Sequence, residues 1–293
     1  MRLPARIGRY EIRSQLGTGG AAEVLLGTAT RADATIEEVA IKRPLPERAD
    51  DPLAAEAARA EARLLSRLRH RNIVRMIDFI DGTPPALVLE RLRGRTLAEL
   101  DQRLPRELAL ELSAQAAAGL AAIHAAVDDA DAPLEAVHRD VSPDNVFVTE
   151  DGTIKLFDFN VAFTKGRTSA PAAGALQGRI AYMSPEQARS EPVDGRADVF
   201  ALAVITWELL AAARLFWRGN TLATMRAVID DPIPRILDRC PDVPAALDAL
   251  LSDALSRTIA TRPQATAFEE GLRALLPQHG EAARCAALAA LAR

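Results

Sequence analysis

Carboxylate and amide side chains in two nearby segments are of the types needed for the transfer of a group to a hydroxyl. Asp140 and Asn145 lie in HRDVSPDN (138–145), and Asp158 lies in KLFDFN (155–160). Such a transfer needs a carboxylate that orients the hydroxyl and accepts its proton. It also needs oxygen ligands for magnesium, which prefers carboxylates and phosphates. These three side chains fit both requirements.

A glycine-rich segment near the N-terminus could contact phosphate. Residues 17–24 read GTGGAAEV and lie between two strand-like runs. Glycines let the backbone approach phosphate oxygens closely, and the backbone N–H groups there can bind negative charge. A tight hairpin with no ligand is the other interpretation of this motif. A Rossmann site is excluded because a strand, and not a helix, follows the glycines.

Lys42 ends the strand-like run VAIK (39–42), and a surface lysine is its simplest interpretation. The following helix favours another one, because Glu61 shares a face with three leucines. A carboxylate on an apolar face needs a cationic partner, and Lys42 on the preceding strand could supply it. Glu56 is the rival carboxylate, but it lies about 140° around the helix, towards the polar side.

Two groups of elements must position these residues. The first group alternates short β-type runs with one helix that has Asp51 as its N-cap; its strands are predicted at 10–16, 23–28, 37–42, 73–80 and 86–90, and its helix at 51–69. The second is mainly helical apart from a β-hairpin; its helices are predicted at 105–126, 199–213, 221–229, 244–255, 265–276 and 281–292, and its hairpin strands at 146–149 and 154–157. This order predicts an α+β protein.

Composition excludes several classes of protein. The chain has 293 residues, 49% of them hydrophobic, and a net charge of -4. It is therefore too apolar to be disordered, and it lacks the clustered basic surface that nucleic acid binding needs. Residues 199–213 form the strongest apolar stretch, which is shorter than the roughly 20 residues that span a bilayer. With two cysteines and no signal peptide, we expect a cytoplasmic protein without a membrane segment.

The chain resembles the bacterial eukaryotic-like (Hanks-type) serine/threonine protein kinases. It carries the family's glycine-rich, VAIK, HRDxxxxN and DFG-like motifs in the expected order, and YMSPE (182–186) is similar to the family's APE element. The resemblance implies a bilobal α+β fold, with a five-stranded antiparallel sheet and one helix in the N-lobe and a mainly helical C-lobe. The predicted domains are an N-terminal extension 1–9, a kinase domain 10–276 (N-lobe 10–89, hinge 90–92, C-lobe 93–276) and a helical extension 277–293.

The resemblance also implies roles for individual residues, with ATP bound between the lobes and two Mg²⁺ ions. Catalysis is assigned to Asp140, which accepts the hydroxyl proton, and to Lys42 paired with Glu61. Arg179 joins the catalytic set as a departure from the family pattern. The ATP-binding set is Leu16, Gly17, Thr18, Gly19, Gly20, Val24, Ala40, Lys42, Leu89, Glu90, Leu92 and Phe147. Asn145 and Asp158 are the metal ligands. Asp198, Glu186 and Arg262 are structural, with Arg262 paired to Glu186 and Asp198 anchoring the catalytic loop.

Four positions depart from the family pattern. Ala22 replaces the third loop glycine, and Asn160 replaces the glycine after Asp158-Phe159. Ser142 stands where Ser/Thr kinases place a lysine that contacts the γ-phosphate, and Arg179 stands where they place a threonine. We expect the last two changes to compensate each other, with Arg179 returning a cation to the side of Asp140. The alternative is a solvated arginine and a weakened site.

Regulation and partners follow from the same resemblance. Arg139, before the catalytic aspartate, implies control by phosphorylation of the activation segment, for which Thr164, Thr168 and Ser169 are the candidates. A protein substrate is expected, because Tyr182 to Glu186 and the long segment before it resemble a peptide-substrate platform. A separate regulatory partner is expected, because fewer than twenty residues follow the predicted kinase domain. Two other functions stay open. One is a pseudokinase that signals by conformation, and the other is a kinase for small molecules.

Overall fold

The computed structural model describes residues 3–30, 33–100, 103–159 and 179–293, which form two compact units. The first unit comprises the described residues up to Arg69 together with Val74–Arg93. The second comprises His70–Ile73 and the described residues from Gly94 onward. The first unit is a β-sheet with one long helix, and the second is mainly helical. The predicted α+β class is therefore confirmed.

The first unit is built on one antiparallel sheet with the strand order β1-β2-β3-β4-β6-β5. Its strands are β1 (Arg6–Ile7), β2 (Tyr10–Thr18), β3 (Ala22–Thr30), β4 (Ile36–Pro44), β5 (Met76–Ile80) and β6 (Ala86–Glu90). The prediction of five strands is corrected to six, because β1 adds to the edge beside β2 inside the predicted N-terminal extension 1–9. Two residues are too few to show the alternation by which a strand is recognised.

The two faces of this sheet differ in burial. Leu25 on β3 pairs in register with Ile41 on β4, and both side chains are fully buried in the core of the unit. Because successive side chains on a strand point to opposite faces, the next pair in register, Val24 with Lys42, lies on the other face. Both residues there are half-buried. The strand pattern thus places Lys42 on the face away from this core.

Helix α1 (Pro52–Leu65) begins as the sequence predicts and ends four residues early. The Asp51 carboxylate accepts a hydrogen bond from the Leu53 N–H at 2.9 Å, and proline occupies the first turn, where its missing N–H costs nothing. The buried face of α1 contains Glu61 beside Leu64 and Leu65. The predicted end at Arg69 is wrong because the chain leaves the helix in a turn after Leu65.

The second unit combines a small sheet with helices. Its strands, in the order β7-β8-β9, are β7 (Gly94–Thr96), β8 (Val146–Thr149) and β9 (Ile154–Leu156). Its helices are α2 (Arg106–His124), α3 (Pro185–Ala188), α4 (Arg196–Ala211), α5 (Thr221–Asp230), α6 (Ala245–Ala254), α7 (Ala265–Ala274) and α8 (Glu281–Ala292). The predicted β8–β9 hairpin is present, whereas β7 was not predicted. Helix α4 is buried on nearly every side, as expected of a helix that is apolar all round.

Candidate active site

In the first unit, Lys42 and Glu61 form the ion pair that their positions suggested. The Lys42 Nζ donates to the Glu61 Oε1 at 2.8 Å and to Oε2 at 2.6 Å. Only 6% of the glutamate side chain is exposed, against 17% for the lysine. A carboxylate buried to this degree needs its cation, and the helix fixes where that cation stands. The pair therefore holds the ammonium at a defined position on the sheet face away from the core.

The remaining predicted ATP-binding residues of the first unit lie on its strands and turns. The glycine-rich turn is closed by a hydrogen bond from the Gly19 N–H to the Ala22 carbonyl at 2.8 Å. A Cβ added at Gly17 would contact nothing within 4 Å, so open space adjoins the backbone there. The other members lie on β2 (Leu16, Thr18), in the turn (Gly20), on β3 (Val24), on β4 (Ala40), on β6 (Leu89, Glu90) and just after β6 (Leu92). Phe147 lies on β8 of the second unit.

The catalytic-loop candidates meet in the second unit. The Asn145 Nδ2 donates to the backbone carbonyl of Asp140 at 2.8 Å. The Asn145 carbonyl in turn accepts from the Phe157 N–H at 3.3 Å, which brings the segment that carries Asp158 alongside the loop. Asp158 has a φ of +61°, a left-handed conformation that costs free energy in a residue with a Cβ. The catalytic loop and the segment that carries Asp158 are thus tied together by hydrogen bonds.

Asp198, near the start of α4, anchors the beginning of this loop. Its carboxylate accepts from the backbone N–H groups of His138 and Arg139, each at 2.8 Å, and lies 2.8 Å from the His124 Nε2. Burial alone would raise its pKa, but the hydrogen bonds and the neighbouring histidines hold the pKa of Asp198 below its usual value. Arg139 has a φ of +66°, and the hydrogen bonds to Asp198 hold this strained turn in place.

Arg179 reaches both acidic side chains of the candidate site. Its guanidinium forms an ion pair with the Asp140 carboxylate, and its Nη2 lies 3.9 Å from the Asp158 Oδ2. Burial raises the pKa of Asp140 to about 6, and the charge of Asp158 adds to this effect, whereas the Arg179 cation opposes it. The arginine that replaces the family's threonine therefore contacts the candidate base directly.

Ser142, at the position of the family's lysine, is a buried residue two positions after Asp140. Its side chain is 1% exposed, and its Oγ has no hydrogen-bond partner among the residues that the structure describes. The residue precedes the 3₁₀ turn Pro143–Asn145, and its carbonyl accepts from the Asn145 N–H at 2.9 Å. Ser142 therefore shapes the loop through its backbone and brings no charge to the site.

The predicted structural pair of the second unit is a double hydrogen bond. The Arg262 guanidinium donates to the two Glu186 carboxylate oxygens at 2.6 and 2.8 Å, with both side chains almost fully buried. Gln187, which the sequence interpretation missed, donates from Nε2 to the Arg139 carbonyl at 2.9 Å. A signal for it was present, since Ser184 and Gln187 have the spacing of a capping box.

Four predicted residues lie outside the described part of the chain. They are Asn160, which follows Asp158-Phe159, and the three candidate phosphorylation sites Thr164, Thr168 and Ser169. Their assignments stay predictions. Among the described residues, no helix combines the length and apolarity needed to cross a bilayer.

Comparison with known proteins identifies the family. The protein kinase domain family matches residues 10–270. Tyrosine-protein kinase MasK of Myxococcus xanthus is 36% identical over 93% of this chain and 44% of its own length. Serine/threonine-protein kinase PknL of Mycobacterium tuberculosis is 33% identical over 87% of this chain and 62% of its own length. A probable serine/threonine-protein kinase, PknB of Corynebacterium glutamicum, is 34% identical over 87% of this chain and 40% of its own length.

The chain thus spans about half the length of the curated relatives that it matches. The match covers the motifs from the glycine-rich turn to Arg262, and it agrees with the antiparallel sheet of the first unit and the helices of the second. The predicted kinase fold and the resemblance to bacterial Hanks-type kinases are both confirmed, and the chain belongs to the protein kinase family.

Proposed function

We propose that the chain is an ATP-dependent protein kinase that transfers the γ-phosphoryl group of Mg·ATP to serine or threonine hydroxyls of protein substrates. The observation that carries the proposal is the environment of Asp140. Its carboxylate is mostly buried, has a pKa raised to about 6 and lies beside a cation, in one unit with Asn145 and Asp158. A general base near this pKa is ionised at neutral pH and still accepts a proton.

In the proposed reaction, Asp140 orients the substrate hydroxyl and accepts its proton as the hydroxyl oxygen bonds to the γ-phosphorus. The bond from that phosphorus to the β–γ bridging oxygen breaks, and ADP leaves with its electron pair. Lys42 holds the α- and β-phosphates, and Glu61 keeps its ammonium in place. Because the phosphoryl group carries several negative charges, correctly placed cations supply much of the rate enhancement.

The residues present also fit magnesium. The Asp158 carboxylate and the Asn145 amide are both oxygen donors, as this ion prefers. The Asn145 Nδ2 is engaged by the Asp140 carbonyl, which leaves its oxygen as the ligand atom. We propose two bound ions, which would neutralise phosphate charge, and their ligands would be Asn145 and Asp158. Arg179 pairs with Asp140, and its Nη2 lies 3.9 Å from the Asp158 Oδ2. These contacts support the view that this site attracts cations.

Tyrosine is the second candidate acceptor. Serine or threonine is supported by the names of PknL and PknB, whereas MasK is named a tyrosine kinase. The lysine that the family resemblance associates with Ser/Thr selectivity is replaced by Ser142, whose buried side chain brings no charge. The acceptor must therefore be measured.

The decisive experiment uses wild type and Asp140→Asn with Mg·ATP and a generic basic protein, followed by phosphosite mapping by mass spectrometry. We expect phosphoserine and phosphothreonine from wild type only. Phosphotyrosine alone would replace the acceptor assignment, and no phosphate from wild type would leave the pseudokinase as the better proposal. Phosphate on Thr164, Thr168 or Ser169 would support the proposed control through Arg139, and its absence from all three would contradict that control. A separate regulatory partner is also part of the proposal.

A further inference from the structure

The outer edge of strand β9 is held by side chains and backbone of other elements. On one side β9 pairs with β8. On the other, the Ile154 N–H donates to the Gln115 Oε1 at 3.0 Å, and the Ile154 carbonyl accepts from the Asn72 Nδ2 at 2.8 Å. The Leu156 N–H donates to the Asn72 carbonyl at 2.9 Å. The strand that runs into Asp158 is therefore fixed on both edges.

The two amides that hold this edge belong to a buried polar network. The Asn72 Nδ2 also donates to the Gln115 Oε1 at 3.1 Å, and the Gln115 Nε2 donates to the Glu111 Oε1 at 3.1 Å. Glu111 is fully buried one turn before Gln115 on α2. Its Oε2 accepts from the Arg284 Nε at 2.9 Å, and Arg284 lies on α8 with 10% of its side chain exposed. A buried carboxylate of this kind depends on its cation.

Helix α8 also touches the hairpin directly. Gly152, in the turn between β8 and β9, has a φ of +81°, and a Cβ there would lie 1.9 Å from the backbone oxygen of Cys285 on α8. The close approach of helix and turn therefore requires glycine. Helix α8 begins at Glu281, beyond the residues 10–270 that match the protein kinase domain. This support is thus an addition to the matched domain.

We propose that α8 positions the Asp158 segment and that Arg284 is the positioning residue. With Arg284 in place, each Glu111 carboxylate oxygen accepts a hydrogen bond, and Gln115 has one orientation in which its oxygen faces Ile154. Without the guanidinium, the buried carboxylate must take another partner, Gln115 loses its fixed orientation, and the edge of β9 is released. If the released strand displaces Asp158, this proposed metal ligand would bind its ion less well. Small displacements of this kind are costly in rate. The inference rests on the proposed function.

The experiment removes the ion pair without leaving a buried charge. Arg284→Ala alone can unfold the unit, so the test variant is Glu111→Met with Arg284→Met, which removes both charges together with the oxygen that accepts from Gln115. The matched control is Asp231→Leu with Arg218→Met. It removes a partly exposed pair at the end of helix α5, away from the network, where Arg218 Nη2 and Asp231 Oδ2 are 2.9 Å apart. Three quantities are measured for each variant: kcat, the Mg²⁺ concentration at half-maximal rate, and hydrogen exchange of the Ile154 and Leu156 amides.

In the test variant we expect kcat to fall and the Mg²⁺ requirement to rise, each by on the order of tenfold. The two amides should exchange faster well below the unfolding temperature, with an unchanged KM for the protein substrate, and the control should match wild type. Equal exchange or equal Mg²⁺ dependence in the test and control variants would overturn the inference, because α8 would then only stabilise the fold. If wild type transfers no phosphate, the proposed function fails, but the inference about α8 can still be tested. The Mg²⁺ dependence of ATP affinity, measured by calorimetry, is then compared between the test and control variants in place of the rates.

Discussion

The Lys42–Glu61 pair of the first unit and the Asp140–Arg179 pair of the second each join a carboxylate to a cation, but the functional partner is the cation in the first and the carboxylate in the second. In the first, the carboxylate is the more buried partner, at 6% exposed against 17%, and it positions the cation. In the second, the carboxylate is the proposed base, and the cation lowers its pKa against the effect of burial. A short ion pair therefore does not reveal which partner is functional, and the charge that the chemistry needs decides it.

Loss of the base itself should have the largest effect. Asp140→Asn keeps the side-chain volume but cannot accept the proton, so we expect the phosphoryl-transfer rate to fall about 10²- to 10⁴-fold. ATP affinity, measured by calorimetry, should stay within about twofold, since a group that acts only in the transition state leaves ground-state binding unchanged. A variant that retains at least a tenth of the rate would contradict the assignment of Asp140.

Loss of the positioning carboxylate should rank second. Glu61→Gln keeps the shape of the side chain and removes the charge that fixes Lys42, and we expect kcat to fall about 10- to 100-fold through a misplaced ammonium. Because Glu61 has no proposed part in proton transfer, the pH at which the rate is half-maximal should match that of wild type. Steady-state kinetics from pH 5 to 9 measure both quantities, and a shifted pH profile would break the distinction between the two pairs.

Loss of the tuning cation should rank third and change a different quantity. Arg179→Gln removes a charged hydrogen bond, and we expect about a tenfold lower rate at pH 7. The Arg179 cation lowers the pKa of Asp140, so its removal should raise that pKa and move the acid limb of the pH–rate profile to higher pH. Arg179→Lys serves as the control that keeps the charge. An unchanged rate for Arg179→Gln would rule out compensation for the lysine missing at Ser142.

The wild-type pH dependence should give the smallest effect. Asp140 must be ionised to accept a proton and is protonated below its pKa, so the rate should be constant at neutral pH and fall to half near pH 6 on acidification. Far-ultraviolet circular dichroism over the same range checks that the fold persists. A half-maximal rate near pH 4, the ordinary value for an aspartate, would show that burial does not set the pKa of this base.

The sequence predicted the Lys42–Glu61 pair because each member carried a local signal, a lysine at a strand end and a glutamate on an apolar helix face. It predicted that Arg179 lies near Asp140 only through two departures from the family pattern. It could not place the guanidinium near Asp158 as well, since that contact depends on how the backbone turns at Asp158, where φ is positive.

The network around β9 was beyond sequence reasoning for a different reason. Arg284 and Glu111 are 173 positions apart, and neither belongs to a motif. Their contact follows from the packing of α8 on α2, which no periodicity reports. A faint signal did exist, because Glu111 and Gln115 are polar residues one turn apart in a stretch of α2 that is otherwise apolar except for Ser113. Buried polar residues in such a position need partners, but the pattern does not name them.

The hydrogen bonds along β9 also bear on association between molecules. As the last strand of its sheet, β9 would present unpaired N–H and C=O groups, which form a template on which another chain can add a strand. Asn72 and Gln115 occupy those groups at Ile154 and Leu156. The side chains that fix the strand therefore also block intermolecular β-pairing, and a variant that frees this edge should gain a tendency to aggregate as well as lose activity.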